Sequence, residues 1–224
     1  KEGTRLTERY AAIDEELLLS GDSRVVLVTS TRQSATNEAA LLRRRLGGRL
    51  VGEIGGIAPH VPKDGVLRGS AIALSVRPDC LIAFGGGSVI DAAKAILACV
   101  ECGVYDDVGF QALLVQSRAR ADPSAWDRLP ATRIVAVPTT LSAAECSWFG
   151  GVTEPASGTK VAVAGAGLMP RTIVYDPTLT RGVPLAVFLA SGVKAIDHAA
   201  ERLGSLNALP YSDALSEKAL QLLS

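Results

Sequence analysis

Short apolar runs alternate along this chain with longer stretches in which apolar residues return every three or four positions. The runs at 24–29, 49–54, 80–84, 133–137 and 172–175 are too short for helices and are bounded by Gly, Pro, Asp or Ser, so each predicts a strand. Leu81-Ile82-Ala83-Phe84 and Ile134-Val135-Ala136-Val137 show no polar alternation, which predicts strands covered on both faces, as in a parallel sheet. Helical spacing predicts an amphipathic helix over 4–19 (Leu6, Tyr10, Ile13, Leu17, Leu18) and further helices over 36–46, over 63–76 and from Ser88 to near Cys102. Residues 149–153 and 160–164, joined by Glu154-Pro155-Ala156-Ser157-Gly158, predict a hairpin, and 103–129 reads as a polar surface excursion. After Pro184 the pattern is helical only, at 186–189, 191–203 and 211–223. The fold class is therefore α/β: a Rossmann-like parallel-sheet domain over 1–182, then the first helices of an all-helical domain over 183–224, with fewer helices than its apolar faces need as partners.

The stretch 80–95, CLIAFGGGSVIDAAKA, concentrates the candidate chemistry. A buried strand stops at Gly85-Gly86-Gly87, and an Ala-rich helix begins, with Ser88 placed as its N-cap and Asp91 as the acidic member of a capping box. Three residues without Cβ let main chain approach a ligand, and the first helical amides meet it with the positive end of the helix dipole. This is a seat for a phosphate or pyrophosphate. The same residues also read as no more than a tight strand-to-helix turn, and the G-x-G-x-x-G spacing of the standard dinucleotide fingerprint is absent. Ser30 follows the strand at 24–29, at the carboxyl edge where open α/β sheets bind ligands.

Composition narrows the partners. Lys plus Arg and Asp plus Glu are both 23, so no global field draws nucleic acid or anionic lipid, and an anion site must be local. With 48% hydrophobic residues the chain is globular, and no apolar run is long enough to span a membrane. The opening KEGTRLTERY lacks a signal-peptide core, so a cytoplasmic protein without nucleic-acid or membrane partners is expected. Four cysteines form no disulfide framework; Cys99 and Cys102 make a single C-x-x-C near a helix end and read as packed or partly exposed thiols. The two histidines, His60 and His198, limit metal chemistry.

Several stretches together resemble the iron-containing alcohol dehydrogenase superfamily, in particular its maleylacetate reductase branch. GGGSVIDAAKAI is similar to the family's GGGSxxDxAK motif, with Gly85, Gly86, Gly87, Ser88, Asp91 and Lys94 in place. PTTLSAAE, from Pro138 to Glu145, is similar to the shorter PTTYAGSE form of the reductases, and MPRTIVYDPTLT and SGVKAIDHAAE complete the likeness from Val25 to about Gly204. The resemblance implies a dehydroquinate synthase-like architecture with NAD or NADP across the cleft between the two domains, its pyrophosphate on Gly85 to Ser88. It implies contacts from Thr139 and Thr140 to the adenosine half, a charge from Lys160 near cofactor or substrate, a small-molecule substrate and a homodimer. Thr139 and Thr140 read equally as strand terminators, and Lys160 as a solvated hairpin lysine.

One departure from the family matters for mechanism. Metal-dependent members place Asp and His four residues apart on one helix face, stacking both ligands over one spot. Here His198 is present, but the Asp position is Lys194, and Asp197 lies about a hundred degrees round the helix. The donor set weighs against a metal. Lys194 is then the candidate for polarising a substrate carbonyl, with His198 as proton donor or carboxylate contact; the plainer reading is a surface lysine and a helix-packing histidine. Thr29-Ser30-Thr31-Arg32 offers no acidic residue to repel a 2′-phosphate, so NAD and NADP are both admitted. The expected activity is NAD(P)H-dependent reduction of a carbonyl in a small, carboxylated substrate. The alternatives are a metal-dependent alcohol or glycerol-1-phosphate dehydrogenase-like enzyme, and a non-catalytic nucleotide-binding remnant.

Overall fold

The computed structural model describes residues 4–7, 12–119, 130–206 and 209–224. Strands β1 (Arg5–Thr7), β2 (Val25–Thr29), β3 (Leu50–Ile54), β4 (Cys80–Gly85), β5 (Arg133–Pro138) and β8 (Thr172–Val174) form one wholly parallel sheet in the order β1-β8-β5-β4-β2-β3. Between β5 and β8 the chain makes a separate antiparallel hairpin of β6 (Phe149–Thr153) and β7 (Lys160–Ala164), in register Phe149 with Ala164 and Thr153 with Lys160.

Helices cover both faces of the sheet, as the unbroken apolar runs of β4 and β5 require. Val26, Val28, Leu81, Ala83, Ile134 and Ala136 turn to the face packed by α4 (Lys63–Val76) and α5 (Gly87–Cys102). The alternate residues Val25, Leu27, Ile82, Phe84, Val135 and Val137 meet α1 (Ile13–Ser20) and α3 (Asn37–Leu46) through Ile13, Leu17, Leu42 and Leu46. Short α2 (Thr31–Ser34) links β2 to α3; Ser30 and Thr36 each accept a backbone N–H three residues on, from Gln33 and Ala39, both at 3.2 Å. Beyond β8, α7 (Leu185–Leu203) and α8 (Pro210–Leu223) follow with many apolar side chains exposed. No helix among the described residues is long and apolar enough to cross a membrane.

The strand order locates the crevice. From β2 the chain runs outward to β3, then returns to the other side of β2 and runs outward again through β4, β5 and β8. The reversal lies between β2 and β4, whose carboxyl ends carry Ser30 and the glycine turn, and open parallel sheets bind ligands at such a switch point.

Several expectations need correction. The helix predicted over 4–19 is a strand followed by a shorter helix: Arg5, Leu6 and Thr7 pair with Thr172, Ile173 and Val174, so a long-range edge pairing overrides the local spacing. Tyr10 lies outside the described residues. The excursion at 103–129 contains α6 (Asp107–Ala119), which buries Phe110, Leu113 and Leu114 on one face; residues 120–129 lie outside the described residues. The two helices drawn at 186–189 and 191–203 are one, α7, which runs unbroken through Ala190 and Ser191.

Far from the crevice, at the amino ends of β4 and β5, Arg133 is buried against two acids. Its guanidinium donates to Asp22 and to Glu16 (3.0 Å), and Thr172 Oγ1 donates to the same Glu16 carboxylate (2.7 Å). This cluster ties α1 to β5 and β8.

Candidate dinucleotide site

β4 ends with Gly85, whose carbonyl accepts the N–H of Thr139 at 3.0 Å, so the turn and the end of β5 are joined directly. Gly86 is the N-cap residue of α5, and Gly87 is already helical. Ser88 is therefore not the cap: its Oγ accepts the N–H of His60 at 3.3 Å, from the loop after β3. Asp91 does not close a capping box either, because its Oδ2 accepts the N–H of Gly151 in β6 at 3.2 Å. The reason is that the helix begins at a residue with no side chain. The α5 amino terminus has no side-chain cap, and the amides of Gly87 and Ser88 precede the first carbonyl that could take them within the helix. An uncapped helix start on glycine, at the switch point of a parallel sheet, is the arrangement that receives an anion.

The glycines are also required by their neighbours. A Cβ on Gly85 would lie 2.7 Å from Val89 Cγ2, one on Gly86 3.1 Å from Thr140, and one on Gly87 2.8 and 2.9 Å from Oγ and Cβ of Ser142. The loop leaving β5 thus presses on the turn through Thr140 and Ser142. Thr139 is buried and Thr140 half-buried. Ser142 escaped the sequence reading, since nothing in SAAE announces a contact with a glycine; only the folded loop does.

Behind the turn sits a charged cluster. Asp91 is held above the ordinary carboxylate value by burial, against the opposing influence of the Gly151 amide and of Lys94 and Lys160. Lys160 lies across Gly151: a Cβ there would meet its Cε at 2.3 Å and its Nζ at 3.1 Å. The structure therefore brings together Gly85, Gly86, Gly87, Ser88, Asp91, Thr139, Thr140 and Lys160, with Ser30 on the neighbouring strand end. Ser30 is engaged as the cap of α2.

Lys194 and His198 stand elsewhere, exposed on α7 and one turn apart, and Lys194 pairs with Asp197. Neither shares a hydrogen bond with the glycine turn among the described residues. The link from α7 to the site is Ser191, whose Oγ accepts the N–H of Leu141 at 3.0 Å, in the loop that covers the turn. The same helix carries the position at which metal-dependent members of the family it resembles place an acidic donor. The position four residues before His198 is a lysine already paired with Asp197, and among the described residues no three His, Cys, Asp or Glu side chains converge. The described residues of this chain do not by themselves assemble a donor set for a metal, and no chemistry below is routed through one.

Comparison with known proteins agrees with this geometry. The chain is 30% identical over 206 residues to the maleylacetate reductase of Burkholderia cepacia, covering 92% of this chain and 49% of that protein. Among solved structures it is similar to maleylacetate reductase from Rhizobium sp. strain MTP-10005, with a TM-score of 0.72 and 25% identity over 96% of this chain and 53% of that one. The fold is shared with sulfoacetaldehyde reductase from Bifidobacterium kashiwanohense, solved in complex with NAD+, at a TM-score of 0.83 and 21% identity over 100% of this chain and 57% of that one. The chain spans about half the length of the curated relatives it matches. The family model of iron-containing alcohol dehydrogenase matches residues 7–177, and with the parallel sheet and its glycine turn this establishes that the chain belongs to the iron-containing alcohol dehydrogenase superfamily, in its maleylacetate reductase-like branch.

Proposed function

We propose that this chain is the dinucleotide-binding part of an NAD(P)H-dependent reductase acting on a carbonyl group of a small, carboxylated substrate. The observation that carries the reading is the uncapped α5 terminus opening from Gly86 and Gly87 at the switch point of the sheet. The glycine cradle fits a pyrophosphate, since main-chain amides rather than side chains face the anion. Family membership and the sequence likeness to maleylacetate reductases support the reductase class. A bound reduced nicotinamide supplies the hydride; this chain's residues bind, orient and balance charge.

In this reading the amides of Gly87 and Ser88 take the pyrophosphate, while Thr139 and Thr140, carried on the end of β5 beside them, contact the adenosine half. Lys160 offsets the Asp91 carboxylate behind the turn, so that the local field is not repulsive to the cofactor. Lys194, in the place of a carboxylate ligand, supplies the positive charge that stabilises the carbonyl oxygen as hydride arrives, and His198, on the same face one turn later, donates the proton or holds the substrate carboxylate. Lys194 must leave Asp197 to do so. Residues 183–224 are then the start of the helical part that bears the substrate groups. Arg32, in α2 beyond β2, admits the 2′-phosphate of NADP as well as NAD.

The test is an NADH and NADPH oxidation assay with maleylacetate, a short aldehyde and a short ketone side by side. Turnover confined to the carboxylated substrate supports the reading. Turnover of the uncharged carbonyls alone removes the carboxylate claim, and no turnover with any of them while NADH binds supports the remnant alternative.

A further inference from the structure

Lys94 is one of the largest side chains in the molecule that is fully buried, and it carries a charge. Its ammonium has three N–H groups and meets three acceptors: the carbonyl of Ala144, Ser147 Oγ at 2.8 Å and the carbonyl of Phe149 at 3.0 Å. All three lie on the chain segment that runs from β5 into the first residue of β6. The segment is fixed at its other end by the Thr139 to Gly85 bond, and between the two anchors it lays Thr140 on Gly86 and Ser142 on Gly87. Ser142 Oγ accepts the N–H of Ala144 at 3.4 Å, so the residue bonded by Lys94 is coupled to the residue that touches the turn. A methionine would fill the same space without the cost of stripping water from a charge, and a buried charge is weak evidence for stability. The lysine suits a different purpose, which is to hold three backbone and side-chain oxygens in one place.

We propose that Lys94 is a positioning residue of the nucleotide site: it clamps residues 144–149 onto α5 and thereby holds Thr140 and Ser142 against the glycine turn. The inference rests on the dinucleotide reading above and adds a device to it. The charged and titratable groups around Lys94 are Asp91 on its own helix, Glu145 and Cys146 on the clamped segment, Lys160 on β7 beside Asp91, and Tyr175, which donates to Glu145 at 3.0 Å. Glu145 is buried and one of its carboxylate oxygens has no protein partner.

Burial brings the Lys94 ammonium down to about 8, with Asp91 and Glu145 opposing the fall. A neutral amine keeps two N–H groups and a lone pair, so deprotonation ends the charge-assisted bonding to the three oxygens and leaves the Ser147 contact to the serine hydroxyl as donor, which loosens the clamp. A dinucleotide at the turn brings negative charge that favours the protonated form, and by linkage its affinity falls as pH rises through that value.

The experiment measures NADH binding and Trp148 emission in the Trp126→Phe background, which leaves Trp148, between Ser147 and Phe149, as the single indole. Lys94→Met is compared with its parent from pH 7 to about 9. The expected result is a folded variant that binds NADH roughly tenfold or more weakly at neutral pH, as the loss of charged hydrogen bonds implies. Its affinity and Trp148 emission should also lack the inflection near 8 that the parent shows. Equal affinity in the two proteins, or the same inflection in both, overturns the proposal. If Lys94→Met does not fold, Ser147→Ala, which removes one of the three acceptors, takes its place, and NADH affinity equal to the parent's overturns the proposal. If the parent binds neither NADH nor NADPH, the dinucleotide reading fails by itself, and the Trp148 titration without nucleotide still judges the clamp.

Discussion

Gly87→Ala separates this structure from intuition about helices. By propensity alone, alanine is favoured over glycine inside a helix by about 1 kcal/mol. The geometry opposes this gain. The new Cβ would lie 2.8 Å from Ser142 Oγ and 2.9 Å from Ser142 Cβ, and while the hydroxyl can rotate away, the Cβ can move only with its backbone. Restoring an ordinary contact of 3.4 Å displaces that loop by 3.4 minus 2.9, or about 0.5 Å. Overpacking of this kind costs about 1–3 kcal/mol, so the net effect is a loss of about 1 kcal/mol. For a chain of this size that lowers the melting temperature by roughly 2–4 °C. NADH affinity should fall by more than the stability change explains, because the displaced loop carries Thr140 as well. The assay is a thermal melt with a parallel fluorescence titration, using Gly48→Ala as control, where a Cβ meets nothing within 4 Å. A Gly87→Ala protein that melts and binds as the parent does would refute the close packing of loop on turn.

Other perturbations probe separate parts. Lys194→Ala is expected to slow turnover while changing NADH affinity little; an unaltered rate would return Lys194 to the solvated surface. Asp91 is raised by burial, so the folded chain holds this proton more tightly than the unfolded one, and the stability it contributes is greatest at low pH and falls as pH rises through the folded value. Asp91→Asn keeps an acceptor for the Gly151 amide and removes that slope, so its melting temperature should gain on the parent between acid and neutral pH; a loss at neutral pH would mean that the carboxylate charge is needed beside Lys160. Arg133→Met strands Asp22 and Glu16 in a buried cluster and should cost about 3–5 kcal/mol in urea unfolding, with NADH binding retained wherever the chain is folded.

The parallel sheet was legible because its central strands are unbroken apolar runs that only a doubly covered sheet explains, and the glycine turn was legible because three glycines in a row end such a run and open an Ala-rich helix. Residues 4–19 misled for a physical reason: a three-residue edge strand is stabilised by its partner β8, far away in sequence, and its own side chains say little. In α6 the signal existed in Phe110, Leu113 and Leu114, but the polar residues downstream obscured it. At the site, motif spacing located the turn yet misassigned Ser88 and Asp91, whose partners His60 and Gly151 arrive from other loops. Lys94 stood in plain view within an Ala-rich helix. Its role required knowing that Ala144, Ser147 and Phe149 would fold back onto it.

NADH titration of the parent and of Gly86→Asp, followed by nicotinamide fluorescence, tests the central claim most directly. Gly86 occupies the N-cap position of α5, where aspartate is a favoured residue, but the new Cβ would lie 3.1 Å from Thr140, so the variant should fold with a modest loss of stability while its carboxylate takes the amides and the charge environment offered to the pyrophosphate. The account predicts saturable binding by the parent and a loss of roughly tenfold or more in the variant, beyond what its modest loss of stability explains. Equal NADH affinity in the two proteins would contradict it.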